Sequence, residues 1–281
     1  REANRAPSPV ELACADPGAP CRLPNAFVAD PPLEQVITRA FETGLRGKTN
    51  LSQFIINWDT TGYYTKNYDD IIFVSSGTGL SSGYFKNFGE TQRLGYDISF
   101  TASKNIKNFG IKILSLNYSY LEASFQSAHT LPAANHPNSS NDVEAGDIIP
   151  GMPKHKINAN VTFSLLDDLD LTAGLIGASG VFLRGDESNQ LNQTSPYAVF
   201  NLQSQYSPRK NISFFARIEN VLNSKYETMG VLGEAESDEV NVPIAELGDT
   251  GRGETAVGPL DPNFLSPGQP RSFFLGINLK W

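Results

Sequence analysis

The sequence predicts an all-β chain: part of an antiparallel transmembrane β-barrel, about nine meander strands of a larger one, with long extracellular loops and short periplasmic turns. Three observations lead there. Extended segments alternate apolar and polar residues with a period of two, and no segment shows a competing helical period. Many of these segments exceed the ~5–6 residues usual in soluble sheets and approach the ~9–11 that cross a bilayer. Short and long connections also take turns along the chain, which gathers all the short ones on one side.

In chain order, residues 1–33 carry seven prolines (Pro7, Pro9, Pro17, Pro20, Pro24, Pro31 and Pro32) and read as an irregular extracellular loop. The first strand candidate covers residues 34–48, with Phe41 and Leu45 opposite Glu42, Gly44 and Arg46, and a tight turn is expected at Lys48-Thr-Asn50. A long second candidate over 51–75 slips phase midway, as a bulge or a mobile outer end would make it do. Residues 76–89 read as a Ser/Gly-rich loop. In 93–103, Leu94, Tyr96, Ile98, Phe100 and Ala102 oppose Arg93, Asp97, Ser99, Thr101 and Ser103. The next strand sets Leu114, Leu116, Tyr118 and Tyr120 against Ser115, Asn117 and Ser119, and a polar loop over 126–154 follows.

Residues 155–165 alternate most cleanly, Ile157, Ala159, Val161, Phe163 and Leu165 against Lys156, Asn158, Asn160, Thr162 and Ser164. A strand over 169–184, a loop over 185–196, and strands over 197–207 and 211–229 come next. An acidic, Pro/Gly-rich connection over 230–270 then leads to the final strand. There Phe273, Leu275, Ile277, Leu279 and Trp281 share one face, with Phe274 the apolar exception on the other. A soluble sheet would bury that face, whereas a membrane barrel would turn it to lipid. An odd strand count puts the two chain ends on opposite sides, while single-chain bacterial barrels have even numbers. The expectation is therefore the C-terminal part of a larger barrel.

Composition agrees. The chain has 281 residues and a formal net charge of −8, and no basic patch stands out, so no nucleic-acid partner is expected. Charged residues make up 19% and hydrophobic ones 40%, which argues against wholesale disorder. No apolar run reaches the ~18–20 residues of a membrane helix, and a mean hydropathy of −0.28 leaves a barrel open because half of each barrel strand is polar. The start, Arg1-Glu-Ala-Asn-Arg-Ala-Pro7, has neither an apolar signal core nor a Met, as expected after processing or in a piece of a longer protein.

Cys14 and Cys21 are close enough in sequence for a disulfide closing a loop, with two free thiols as the alternative. No catalytic constellation stands out, so neither an enzyme nor a cofactor is expected. His129 and His136 fall in one outer loop and His155 starts a strand; solvated loop histidines are favoured over iron or haem ligands. The Gly77-Thr-Gly-Leu-Ser-Ser-Gly83 run has no helix behind it to hold a phosphate. Glu234, Glu236, Asp238, Glu239, Glu246, Asp249, Glu254 and Asp261 read as a solvated acidic face before a cation site, and the metal question stays open. If the apolar face meets lipid, Arg93, Asp97, Asn117, Asn158, Asn160, Asn201, Gln203, Arg217 and Glu219 face the lumen. Trp58, Tyr64, Tyr118, Tyr120 and Tyr206 are then candidates for interfacial girdles, against ordinary sheet packing.

Three stretches resemble the TonB-dependent outer-membrane receptors. Phe214-Phe-Ala-Arg-Ile-Glu-Asn-Val-Leu-Asn-Ser-Lys-Tyr-Glu227 is similar to the family's penultimate strand, with Asn-Val-x-Asn-x-x-Tyr at Asn220, Val221, Asn223 and Tyr226. Pro267-Gly-Gln-Pro-Arg-Ser-Phe-Phe-Leu-Gly-Ile277 and the aromatic end resemble the closing strand. Asn4-Arg-Ala-Pro7 with Phe41-Glu-Thr-Gly-Leu-Arg-Gly47 resembles a mid-barrel crossing.

The resemblance implies a plug inside a barrel of about 22 strands. It also implies a TonB box coupling uptake to the inner membrane, and a closing strand (Phe273 to Trp281) read by the barrel-assembly machinery. Neither plug nor box is visible in this sequence, so the chain would line a pathway and help bind ligand without energising uptake by itself. The implied location is the bacterial outer membrane. The implied partners are its lipid, the TonB complex through the missing N-terminal part, and a small extracellular ligand such as an iron–siderophore complex. A passive porin-like barrel and a soluble, secreted β-sandwich binding protein are the rivals.

Overall fold

The computed structural model describes residues 1–13, 33–75, 83–106, 109–131, 141–233 and 263–280. Ten strands form one antiparallel sheet: β1 (Glu2–Arg5), β2 (Val36–Leu51), β3 (Phe54–Tyr68), β6 (Thr91–Ser103), β7 (Gly110–Phe125), β10 (His155–Leu166), β11 (Leu169–Ala178), β12 (Tyr197–Arg209), β13 (Ile212–Glu219) and β16 (Ser272–Leu279). They pair in that order as a meander, and the sheet is open, with β1 and β16 at its edges. Three hairpins extend the long connections: β4 (Ile71–Ser75) with β5 (Gly83–Asn87), β8 (His129–Leu131) with β9 (Asn141–Val143), and β14 (Glu227–Leu232) with β15 (Asn263–Pro267). No helix among the described residues is long and apolar enough to cross a membrane, which leaves crossing by strands untouched.

Several boundaries differ from the sequence reading, each for a local reason. The stretch read as an irregular extracellular loop opens with β1, whose Glu2–Arg5 pair with Arg39–Val36, and continues into the short helix α1 (Pro9–Ala13); β1 brings the sheet to ten strands where about nine were expected, so the odd count does not hold. That helix begins with a capping box. The Glu11 backbone N–H donates to Ser8 Oγ at 3.3 Å, the Ser8 N–H donates to Glu11 Oε2 at 2.6 Å, and Pro9 takes the first helical position. The first turn lies at Ser52-Gln53, later than expected, with Leu51 opposite Phe54 and Ser52 at φ 55°.

The phase slip in the second candidate is a strand break, not a bulge. Asp69 at φ 54° ends β3, and β4 starts a separate hairpin. The strand expected over 169–184 leaves the sheet after Ala178. Gly180 lies so near the Thr194 carbonyl that a Cβ there would approach within 2.0 Å. The strand expected over 211–229 ends at Glu219, because Asn220 turns the chain at φ 50°.

Core packing is concentrated in the long connections. Val74, Phe88, Phe125, Leu131, Val143 and Ile149 form one buried cluster there. The stretches read as a Ser/Gly-rich loop (76–89) and a polar loop (126–154) supply Phe88, Leu131, Val143 and Ile149 to it. Residues 185–191 are tied on by buried polar groups. Asn141 donates to Glu187 Oε2 at 2.8 Å and accepts from the Ser188 N–H at 3.0 Å. Asp186 accepts from the N–H groups of Gln190 and Leu191. The membrane-length strands themselves form one layer.

Candidate functional site

Register decides which side chains share a face, because directly opposed residues point the same way. On the first face, Trp58 is opposite Phe100, Phe100 opposite Leu116, Leu175 opposite Phe200, and Phe214 opposite Ile277. Phe273, Leu275, Ile277 and Leu279 lie there too, as do Trp58, Tyr64, Tyr118, Tyr120 and Tyr206. Much of this face is bare: Phe41 is 68% exposed, Leu45 69% and Leu275 84%. His155 belongs to it, its Nδ1 2.8 Å from the Tyr118 hydroxyl. Its tyrosines concentrate toward the long connections: Tyr96 stands opposite Tyr120, and Tyr120 opposite His155.

The second face is polar and carries all nine residues singled out from alternation. Asp97 opposes Thr61 and Ser119, Asn117 opposes Ser99 and Asn158, and Asn160 opposes Ser115. Across Gly174 comes Asn201; then Gln203 opposes Arg217, and Glu219 opposes Ser272. Arg93 is four residues from Asp97 on the same strand. Cross-strand hydrogen bonds link this surface: Ser99 Oγ to Asn117 Oδ1 at 2.9 Å, Ser119 Oγ to Asp97, and Thr162 with Thr172 at 2.9 Å. Around Ser99, Asn117, Asn158 and Asn160 it holds uncharged amides and hydroxyls, which suit a surface offering weak, exchangeable hydrogen bonds.

Arg93 and Arg217 have partners that the sequence did not announce. Arg93 donates to Asp70 Oδ2 at 3.1 Å, and that carboxylate also accepts from Thr91 Oγ1 at 2.6 Å and Asn67 Nδ2 at 3.1 Å. Asp70 is buried at the β3–β4 break, so Arg93 anchors the rim of the sheet. Arg217 lies 3.1 Å from Glu219 and stacks on the Phe274 ring at 4.8 Å, which gives the one apolar exception of the closing strand a partner.

The Asn-Val-x-Asn-x-x-Tyr stretch is a turn. Asn220 is 1% exposed. Its Nδ2 donates to the carbonyls of Ser224 at 2.9 Å and Gln269 at 3.0 Å, its Oδ1 accepts from the Ser224 N–H at 2.9 Å, and its own N–H donates to Asn201 Oδ1 at 2.9 Å. Asn223 accepts from the Arg271 N–H at 3.2 Å, and Tyr226 stacks on Tyr197 at 4.5 Å. Both asparagines have positive φ, 50° and 53°, which this side chain tolerates better than most. The motif thus fastens the end of β13 to the chain entering β16.

Among the described residues no three of His, Cys, Asp and Glu gather as metal ligands. His129 packs on Phe88, ring centroids 4.3 Å apart, and its Nε2 is buried without a hydrogen-bond partner. His136, the Cys14–Cys21 pair, the 77–82 glycine run, the acidic residues 234–261 and Trp281 lie outside the described residues.

A search of curated proteins finds no match. Solved structures do match. The copper transporter OprC superposes with a TM-score of 0.62 at 17% identity, over 99% of this chain and 36% of that one. The siderophore receptor PiuA from Acinetobacter baumannii gives 0.60 at 16%, over 92% and 30%. The ferric-catecholate import receptor Fiu from K12 E. coli gives 0.60 at 14%, over 99% and 32%. At such identities the likeness is one of fold, and the chain spans only about a third of each structure's length. The sequence profile described as "TonB dependent receptor-like, beta-barrel" matches residues 2–221, most of the chain. With that match and this open, two-faced meander sheet, the chain belongs to the TonB-dependent receptor-like β-barrel family.

Proposed function

We propose that the chain is the C-terminal part of the barrel of an outer-membrane receptor that takes up a scarce extracellular ligand with energy delivered through TonB. In this reading the plug and TonB box belong to the rest of the protein. One observation carries it: a single-layer sheet whose apolar face, from Phe41 to Leu275, stays uncovered among the described residues while its polar face is cross-linked by hydrogen bonds. Water would not tolerate so extended an apolar surface, and lipid would. A β-sandwich would need a second layer over it.

On this reading Arg93, Asp97, Asn117, Asn158, Asn160, Asn201, Gln203, Arg217 and Glu219 line the lumen. Their charges there escape the roughly 2–4 kcal/mol that a lipid-facing cation costs at the midplane. Phe273, Leu275, Ile277 and Leu279 form the lipid side of the strand that the assembly machinery receives. Among the compared structures, a siderophore receptor and a ferric-catecholate import receptor favour an iron–siderophore complex as ligand, with copper as the other cargo named.

The test is uptake of radio-iron supplied as siderophore complexes by cells with and without the gene. The expected result is uptake lost on deletion and equally lost without TonB. Uptake surviving TonB loss would identify a passive pore, and unchanged uptake on deletion would remove the iron–siderophore reading. Orientation is read separately with a charged, membrane-impermeant maleimide. Asn158→Cys should react and Phe200→Cys should not, against the wild-type background.

A further inference from the structure

Where β11, β12 and β13 adjoin, the polar face is interrupted by a cavity of about 190 Å³. Its floor is apolar: Ile176 and Val199 stand directly opposite each other in the register. One wall is aromatic. Tyr226 is held between Tyr197, 4.5 Å away ring to ring, and Gly268, where a Cβ would come within 2.2 Å of the tyrosine ring. Of the polar residues in the lining, Asn220 is closed within its turn, Thr228 Oγ1 donates to the Ser266 carbonyl and Gln269 Nε2 donates to Ser272 Oγ. Asn201 spends its Oδ1 on the Asn220 N–H, and its Nδ2 has no partner among the described residues. Glu219 is the one charged residue in the described lining, and Arg217 at 3.1 Å balances it. A larger hollow of about 610 Å³ beside Phe41–Arg46 follows the stretch of β2 that β1 leaves unpaired, so it reflects the sheet edge.

We propose that the cavity over Val199 is a subsite for a neutral, polyhydroxylated ring, that is, one sugar residue. An anion would meet Glu219 with no cation in the described lining to receive it. A cation would have to displace Arg217 from that carboxylate. A plain hydrocarbon would cover Asn201 Nδ2 and the Glu219 oxygens without satisfying them. A pyranose fits both demands: its C–H face lies on Val199, Ile176 and Tyr197, and its hydroxyls accept from Asn201 and donate to Glu219. The volume is below the ~300–1,000 Å³ of pockets that enclose a drug-sized molecule, so it takes one ring, free or at the end of a larger ligand. The subsite rests on the reading that this face lines the lumen.

The test is saturation-transfer NMR on the full-length receptor in a sugar-free zwitterionic detergent, since maltoside headgroups would themselves compete. The probes are the methyl glycosides of glucose, galactose and mannose. At least one should receive saturation on its ring protons. The signal should fall about fivefold or more in Tyr197→Ala, and should survive in Tyr197→Phe, which keeps the ring. Ile176→Trp fills the cavity without removing a hydrogen bond and should abolish the signal, which covers the case of a Tyr197→Ala protein that does not fold. No transfer to any of the three glycosides, or transfer unchanged by Ile176→Trp, overturns the proposal. Labelling of Asn158→Cys in the same detergent separates the two readings. A labelled receptor without sugar transfer loses only the subsite, whereas an unlabelled one loses the lumenal assignment with it.

Discussion

Asn220 offers the sharpest test of how this sheet is held. Asn220→Ala removes three hydrogen bonds made by its side chain and places alanine at φ 50° in a site only 1% exposed. A buried backbone group left without a partner costs about 1–3 kcal/mol, and the two carbonyls keep a second lone pair, so about 1 kcal/mol for each lost bond is the sensible end. The left-handed backbone adds about 1 kcal/mol for an alanine. The sum is about 4 kcal/mol, enough to release the β13–β16 connection. The assay is denaturant unfolding of the folded receptor in lipid vesicles, with amide exchange read at Ser224. Asn220→Gly relieves the backbone strain but restores none of the lost bonds, so it should recover about 1 kcal/mol and no more. Asn220→Asp keeps the acceptor for Ser224 and should fall between. If alanine costs under about 0.5 kcal/mol, or glycine behaves as wild type, the motif does not work through these hydrogen bonds.

Further outcomes follow from other parts of the molecule. Phe200→Arg on the apolar face should cost roughly 2–4 kcal/mol in vesicles, while Asn158→Arg on the polar face, opposite the uncharged Asn117 and Ile176, should stay within about 0.5 kcal/mol; equal costs would contradict the assignment of faces. Asp70→Asn leaves Arg93, Thr91 and Asn67 facing an amide, and should cost about 1–3 kcal/mol, with faster amide exchange in β4–β5 as the readout. Gly95→Ala brings a Cβ within 2.0 Å of the Tyr63 ring, and should destabilise by about 1–3 kcal/mol; most of that should vanish in a Tyr63→Ala background.

Acid should loosen α1. Burial raises the Glu11 carboxyl, but the hydrogen bonds from Arg5 and Ser8 together outweigh it and hold its pKa below the ordinary glutamate value. A depressed carboxyl contributes stability above its unfolded value, and that stability is lost as pH falls through the folded one. Exchange at Leu12 should therefore accelerate on acidification below the ordinary glutamate range, and Glu11→Gln should abolish that dependence.

Alternation alone separated the two faces. Alternation groups the nine polar residues on one face and Phe273, Leu275, Ile277 and Leu279 on the other, and the cross-strand register has the same grouping. This works because side-chain direction in an extended chain is set by the residue's own backbone, with no long-range information needed. Chain breaks were legible only in part. Asp69 and Asn220 end strands by adopting positive φ, a choice that depends on partners far along the chain, such as the Gln269 carbonyl for Asn220. The long connections were the least legible. Phe88, Leu131 and Val143 lie in short apolar patches between polar runs, too brief to carry a period, yet they meet in one core because β3, β6 and β7 bring their ends together.

What the sequence determined by itself was an extended, two-faced, membrane-length chain with its short turns at one end, since each of those properties is local. What only the tertiary structure decided was which polar groups are already satisfied and which remain available. Arg93 is held by Asp70, Asn220 is closed within its turn, and Asn201 keeps an amide nitrogen above Val199 with no partner among the described residues. The reason is that hydrogen-bond satisfaction joins residues remote in sequence, and no spacing along one chain records it.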